Sequence, residues 1–148
     1  MNRLKTDAEP VAAPGAEAVM FSLLGVAHGI EDRLEQALSP IGLSTSKLGV
    51  LTQLVAAGGP LPLSELASRL SCVRSNMTQL VDRLEADGLV RRVDDPADRR
   101  SVLAMVTRLG EERQADGASE LARVGEEFAA ALPRADRAAF TRALAALK

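Results

Sequence analysis

No tryptophan and no tyrosine occur in this 148-residue chain, and three phenylalanines are its only aromatic side chains. Cysteine and histidine occur once each, as Cys72 and His28. A lone cysteine excludes an internal disulfide and fits a reducing, cytoplasmic setting. One histidine and one cysteine give no metal-ligand spacing, and neither a nucleophile elbow nor a phosphate loop is present. An enzyme, a metal site and a bound cofactor are therefore not expected. No uninterrupted apolar run reaches membrane-spanning length, so no membrane partner is expected. The first fifteen residues, rich in Ala and Pro, lack the apolar stretch of a secretory signal and read as a disordered arm. The chain is also short of net charge: 18 basic residues against 20 acidic ones leave −2. That balance excludes a generally basic polyanion binder, so any nucleic-acid contact must come from local clustering.

Such clustering is present. Residues Leu89–Thr107 contain two short Val-rich runs joined by Asp95-Pro96-Ala97-Asp98-Arg99-Arg100. Asp followed by Pro fits a type I turn, because Pro presets the φ that the second position needs. The pattern predicts a β-hairpin with a cationic fork at its tip. Arg91, Arg92, Arg99 and Arg100 all fall in it, partly offset by Asp94, Asp95 and Asp98. Just upstream, Arg74 to Asp87 reads as a helix closed by Gly88. A helix-turn-helix followed by a basic hairpin is a winged helix, whose usual partner is double-stranded DNA.

Elsewhere the periodicity is helical. Met20, Leu23, Leu24 and Ala27, extended by Ile30, Leu34 and Leu38, predict a long amphipathic helix from Ala16 to about Ala37. Val19, Phe21 and Val26 widen its apolar surface beyond one face. Ser44 is an N-cap for a second helix with Leu48, Val50, Leu51 and Leu54 available to a core. A short third helix follows Gly58-Gly59-Pro60. The fourth helix places Val73, Met77, Leu80, Val81 and Leu84 on an inner stripe, leaving Ser75, Gln79 and Asp82 opposite, flanked by Asn76, Thr78 and Arg83. Thr107 caps a fifth helix with Leu121, Val124, Phe128 and Leu132 as its stripe, weakened locally by Gly117 and Gly125. Pro133 starts a sixth. The fold class is mainly α with a small β-hairpin wing. The expected organisation is an arm (1–15), a winged helix-turn-helix domain (44–107), and a helical dimerisation domain built from 16–43 and 108–148. The terminal helices carry more apolar surface than the middle needs, which symmetric pairing of two chains explains.

Three runs, Leu80-Val81-Asp82-Arg83-Leu84-Glu85, Gly88-Leu89-Val90-Arg91-Arg92 and Asp95-Pro96-Ala97-Asp98-Arg99-Arg100, followed by Thr107 and Gly110, resemble the MarR (multiple antibiotic resistance regulator) family of bacterial transcription regulators. The resemblance runs from about residue 16 to the C-terminus. It implies a homodimer bound to a pseudo-palindromic operator, with recognition helices in successive major grooves and wings reaching the minor groove. It also implies repression of nearby genes, relieved by a small-molecule effector. The chain departs from the family where Val73 replaces a capping Ser or Thr. Either Ser71 caps instead and the helix begins at Cys72, or the end has no side-chain cap. Met105 stands where a polar wing residue is usual.

The candidate DNA contacts are Arg74, Ser75, Asn76, Thr78, Gln79 and Arg83 on the fourth helix, and Arg91, Arg92, Asp98, Arg99 and Arg100 in the hairpin. Gln and Asn pair bidentately with adenine, and Ser serves several bases. Arg99 and Arg100 suit the negative potential of a narrow minor groove. Arg91 and Arg92 are expected to hold the wing or touch phosphate, and Asp98 to orient an arginine. Phe21 and His28 are candidate effector-binding residues. Cys72, near a helix start and two positions from Arg74, is a candidate redox thiol, with a small apolar filler of the turn as the plainer reading. A redox-sensing repressor, and a winged-helix interaction dimer without DNA binding, are the alternatives.

Overall fold

The computed structural model describes residues 15–98 and 101–147. The arm before residue 15 and the wing-tip arginines Arg99 and Arg100 lie outside them. The chain divides into two compact units, Met1–Asp32 and Arg33–Lys148. The first unit is described as one helical stretch, the beginning of α1 (Ala16–Leu38). Its apolar residues stay largely in solvent: Phe21 is 65% exposed, and Val19, Met20, Leu24 and Val26 are also exposed. Of the stripe expected along α1, Leu38 alone is buried, while Leu23, Ile30 and Leu34 are half-buried.

The second unit begins in the last turns of α1 and continues through a 3-10 turn (Ser39–Ile41) to α2 (Thr45–Ala57), β1 (Leu61–Pro62), α3 (Leu63–Arg69) and α4 (Arg74–Ala86). Strands β2 (Val90–Asp94) and β3 (Val102–Val106) follow, then α5 (Arg108–Ala131) and α6 (Arg134–Ala145). Ser44 caps α2 as expected, its hydroxyl accepting from the Lys47 amide at 3.2 Å. Glu35 closes the same helix end from outside. Its carboxylate accepts from the Thr45 amide at 2.9 Å and from the Thr45 hydroxyl at 2.6 Å.

The hairpin is one strand larger than the sequence pattern showed. β1 adds antiparallel to β3, so the sheet order is β1-β3-β2, with Leu61 opposite Ala104. Two residues between Pro60 and a helix carry no alternation to read, which is why the pattern missed them. In the wing proper Val90 pairs with Val106, Arg92 with Ala104 and Asp94 with Val102. At the turn, the Asp95 carboxylate accepts from the Ala97 amide at 2.8 Å, an Asx turn that Asp is suited to make. The Asp98 carbonyl accepts from the Ser101 amide at 2.9 Å.

The core lies between α2, α3, α4 and the sheet. Leu51, Leu54, Leu66, Met77, Val81 and Leu84 are fully buried, joined by Leu38 and Val90. Each such side chain contributes roughly 1.5–3 kcal/mol of transfer free energy. Helix α5 seats against this core through glycine. A Cβ on Gly110 would stand 2.1 Å from the Leu89 carbonyl oxygen, and one on Gly117 2.7 Å from a Leu48 methyl. Gly117 therefore permits close helix packing. Thr107 ties the hairpin's exit to the same corner. Its hydroxyl donates to the Gly88 carbonyl at 2.7 Å and accepts from the Gly110 amide at 3.0 Å, capping α5.

Candidate nucleic-acid interface

Helix α4 is sided by its sequence. Met77, Val81 and Leu84 are fully buried and Leu80 half-buried. Arg74, Ser75, Asn76, Thr78, Gln79, Asp82 and Arg83 are all exposed. Residues 75, 79 and 82 share one line on the outer surface, since they follow the i, i+4, i+7 spacing of a helix. Thr78 is partly committed, its hydroxyl donating to the Arg74 carbonyl at 3.1 Å.

The start of α4 corrects one expectation and decides between two alternatives for its cap. Val73 is the N-cap residue, makes no side-chain cap and is 62% exposed, so it does not belong to the inner stripe. Ser71 does not cap either: it sits in the turn at φ +50°, where its amide donates to the Ser68 carbonyl at 3.2 Å. Ser71 stands two residues before the N-cap Val73, in the turn that joins α3 to α4. The first amides of α4 thus lack a side-chain cap and leave the positive end of the helix dipole facing outward. Cys72 is half-buried against the core, its amide donating to the Ala67 carbonyl at 2.9 Å and its thiol lying 3.5 Å from the Val73 carbonyl.

The hairpin is fastened to α4 by Arg92. Its guanidinium donates to the Asp82 carboxylate at 2.5 Å and to the Glu85 carboxylate, and its backbone amide donates to Glu85 Oε1 at 3.0 Å. The Arg92 amide holds the Glu85 carboxyl below the usual glutamate range, with the Arg92 side chain adding to the effect. Burial works against the charge on Arg92, but hydrogen bonds to Glu85 and Asp82 outweigh it and raise its pKa. Arg91 points elsewhere, donating to the Met105 thioether on the neighbouring strand at 3.2 Å. That contact gives Met105 a function in a position where a polar residue was expected.

Two of the hollows that flank α4 touch its first turns. One, about 560 Å³, lies between the start of α2 and the α3–α4 turn, with Thr45, Leu70, Cys72 and Asn76 in its wall. The other, about 320 Å³, opens towards the wing beside Arg74, Thr78 and Val102. Phe21 and His28 are exposed on α1 in the first unit. Asp82 and Glu85 as wing anchors, and Thr107 as a double fastener, were not legible as such. The available signal was the acidic pair three residues apart on α4, followed within a turn and a strand by Arg92. Among the described residues there is no cluster suited to a metal ion, and no helix is long and apolar enough to cross a membrane.

Comparison with known proteins agrees with this architecture. The model of the MarR family matches residues 43–102. The chain is 38% identical over 85 residues to the HTH-type transcriptional regulator YkoM of Bacillus subtilis, covering 57% of this chain and 51% of that protein. It spans about half the length of the first curated relatives it matches. Among solved structures, AbsC, a MarR-family transcriptional regulator from Streptomyces coelicolor, superposes with a TM-score of 0.75 at 28% identity, over 97% of this chain and 93% of that one. The repressor CouR bound to a 23-mer DNA duplex superposes at 0.77 and 27% identity, over 88% and 92%. CouR from Rhodococcus jostii RHA1 has also been solved with p-coumaroyl-CoA. The relatives are transcriptional regulators, and the fold is that of MarR winged-helix proteins.

Proposed function

From a chain that carries a MarR-family domain over residues 43–102, we propose a homodimeric, sequence-specific DNA-binding regulator of transcription acting in the cytoplasm. The observation that carries this reading is α4: a helix buried along one side and polar along the other, uncapped at its start and fastened beside a hairpin. In the proposed complex α4 enters the major groove. Ser75, Asn76 and Gln79 face base edges, while Arg74, Arg83 and Arg91 meet phosphates. The hairpin follows the minor groove, where Arg99 and Arg100 belong by sequence. CouR, a relative of the same fold, has been solved on a DNA duplex.

Residues 44–107 are assigned to DNA binding, and 16–43 with 108–148 to dimerisation. The exposed apolar residues of α1, together with Leu121 on α5 and Leu147, support the second assignment. Two copies related by a two-fold axis then read half-sites about 34–36 Å apart. Repression relieved by a small effector is the regulatory mode favoured here, supported by CouR's capture with p-coumaroyl-CoA. Phe21 and His28 on α1 are the residues offered for that contact. Cys72 is read as a packing residue, because its thiol rests against the core and beside a backbone carbonyl. No catalytic role is assigned.

The test is anisotropy of labelled duplexes taken from DNA flanking the gene, titrated at several salt concentrations against unlabelled nonspecific DNA. Tight binding that survives competitor, with log affinity falling linearly in log salt, is the expected result. Affinity that vanishes equally with any competitor, across every flanking duplex, would sink the reading and favour a protein partner for the wing.

A further inference from the structure

We propose that Arg92 is a positioning residue for DNA recognition: through Asp82 and Glu85 it sets the hairpin against the outer face of α4 and screens a carboxylate lying on that face. The inference rests on the DNA-binding reading above. It assigns Arg92 a different task from its neighbour Arg91.

Three contacts converge on one residue. β2 is an edge strand of the sheet, and an edge strand presents outward amides with no strand to take them. The outward amide of Arg92 goes to Glu85 Oε1, while the guanidinium takes Glu85 Oε2 with one nitrogen and Asp82 Oδ1 with the other. The backbone contact fixes where the strand lies along α4. The planar fork fixes its rotation, because a guanidinium satisfies two carboxylates only in a narrow range of orientations. The Arg92 side chain is 27% exposed and both of its terminal nitrogens are engaged, which leaves it poorly placed to serve a phosphate. Arg91, exposed on the other side of the strand with a thioether for partner, has no such commitment.

Position along the hairpin gives the brace leverage. The turn at Asp95 begins three residues beyond Arg92, about 10 Å at the rise of a strand. A change of angle at the brace is therefore magnified at the tip. Asp82 supplies the second half of the argument. It falls on the line of Ser75 and Gln79, where an unscreened carboxylate would confront the DNA backbone.

Bracing and a direct phosphate contact by Arg92 predict opposite signs, so charge removal separates them. Asp82→Asn with Glu85→Gln deletes two negative charges per chain, which simple electrostatics says must tighten DNA binding. As a brace, the pair is needed, and affinity for the specific duplex falls about tenfold. The hydroxyl-radical footprint then loses its flanking, wing-dependent protection while protection under α4 persists, a split that a general folding defect does not produce. Arg92→Lys shows the same loss, since an ammonium cannot bridge both carboxylates. Adding Arg92→Gln to the neutralised pair costs nothing further. Unchanged or tighter binding by the neutralised pair overturns the proposal. So does an Arg92→Gln protein with an intact footprint and a salt slope reduced by about one phosphate contact. If the unaltered protein binds no duplex specifically, the DNA reading has failed and the positioning role falls with it. Amide hydrogen exchange of residues 90–94 without DNA then still decides the brace itself. Exchange that is faster in Asp82→Asn/Glu85→Gln confirms it, and identical exchange removes it.

Discussion

Helix α2 and the first seventeen residues of α1 are both rich in apolar side chains, and the fold treats them oppositely. In α2, Val50, Leu51 and Leu54 have no exposed surface, because α3, α4, α5 and the sheet close over them. Between Ala16 and Asp32, Val19, Met20, Phe21, Leu24 and Val26 each keep roughly half their surface or more in water. Similar composition therefore marks two different obligations. The winged region buries its apolar side chains within the second unit, with Leu38 and α5 completing the core. The first helix presents a surface whose free energy is realised only against something else, and in the proposed dimer that is a second copy of the chain.

The contrast can be attacked from either side. Leu51→Ala empties a fully buried site and is expected to cost about 3 kcal/mol in urea unfolding, with the loss appearing throughout the winged region. Gly110→Ala drives a methyl into the Leu89 backbone carbonyl, which no rotamer change relieves. A loss of about 2 kcal/mol is expected, read as a lower unfolding midpoint. On the other side, Phe21→Ser with Leu24→Ser should leave the core of the winged region untouched and weaken self-association about tenfold, measured by sedimentation equilibrium. An unchanged dissociation constant would remove that face from the dimer. The smallest effect concerns pH. Glu85 titrates lower in the folded protein than in the unfolded chain. The stability from its contact with Arg92 is thus complete above the ordinary glutamate range and is lost as pH falls through the depressed value. Glu85→Gln should flatten the acid limb of a stability–pH curve and leave the neutral region nearly unmoved.

Much of the fold was legible because its signals are local. Ser44 and Thr107 were identifiable as caps from residue type alone, and both accept the amide three residues on. The sidedness of α4 followed from spacing, and the hairpin from two Val-rich runs about an Asp-Pro turn. The candidate interface was legible to the same extent: Arg74, Ser75, Asn76, Gln79 and Arg83 share the exposed surface of α4 as their spacing requires. Arg92 is different. Spacing placed it in the hairpin beside Arg91, but strand alternation alone did not say which of the two would meet α4. Val73 was misplaced for a related reason, since helical periodicity was extended one residue past the point where the turn takes over.

The sequence by itself determined the order of the helices, the caps of α2 and α5, the polar line on α4 and the cationic hairpin, because each depends on residues within one or two turns of each other. Tertiary structure decided what depends on distant segments meeting. It added β1 to the sheet, turned Gly110 and Gly117 into contact surfaces, and gave Asp82 and Glu85 to Arg92. A lone strand of two residues, a glycine in a helix and an acidic pair on a solvent face have little local preference to read. Their roles come from the partner that packing brings within hydrogen-bonding or van der Waals distance.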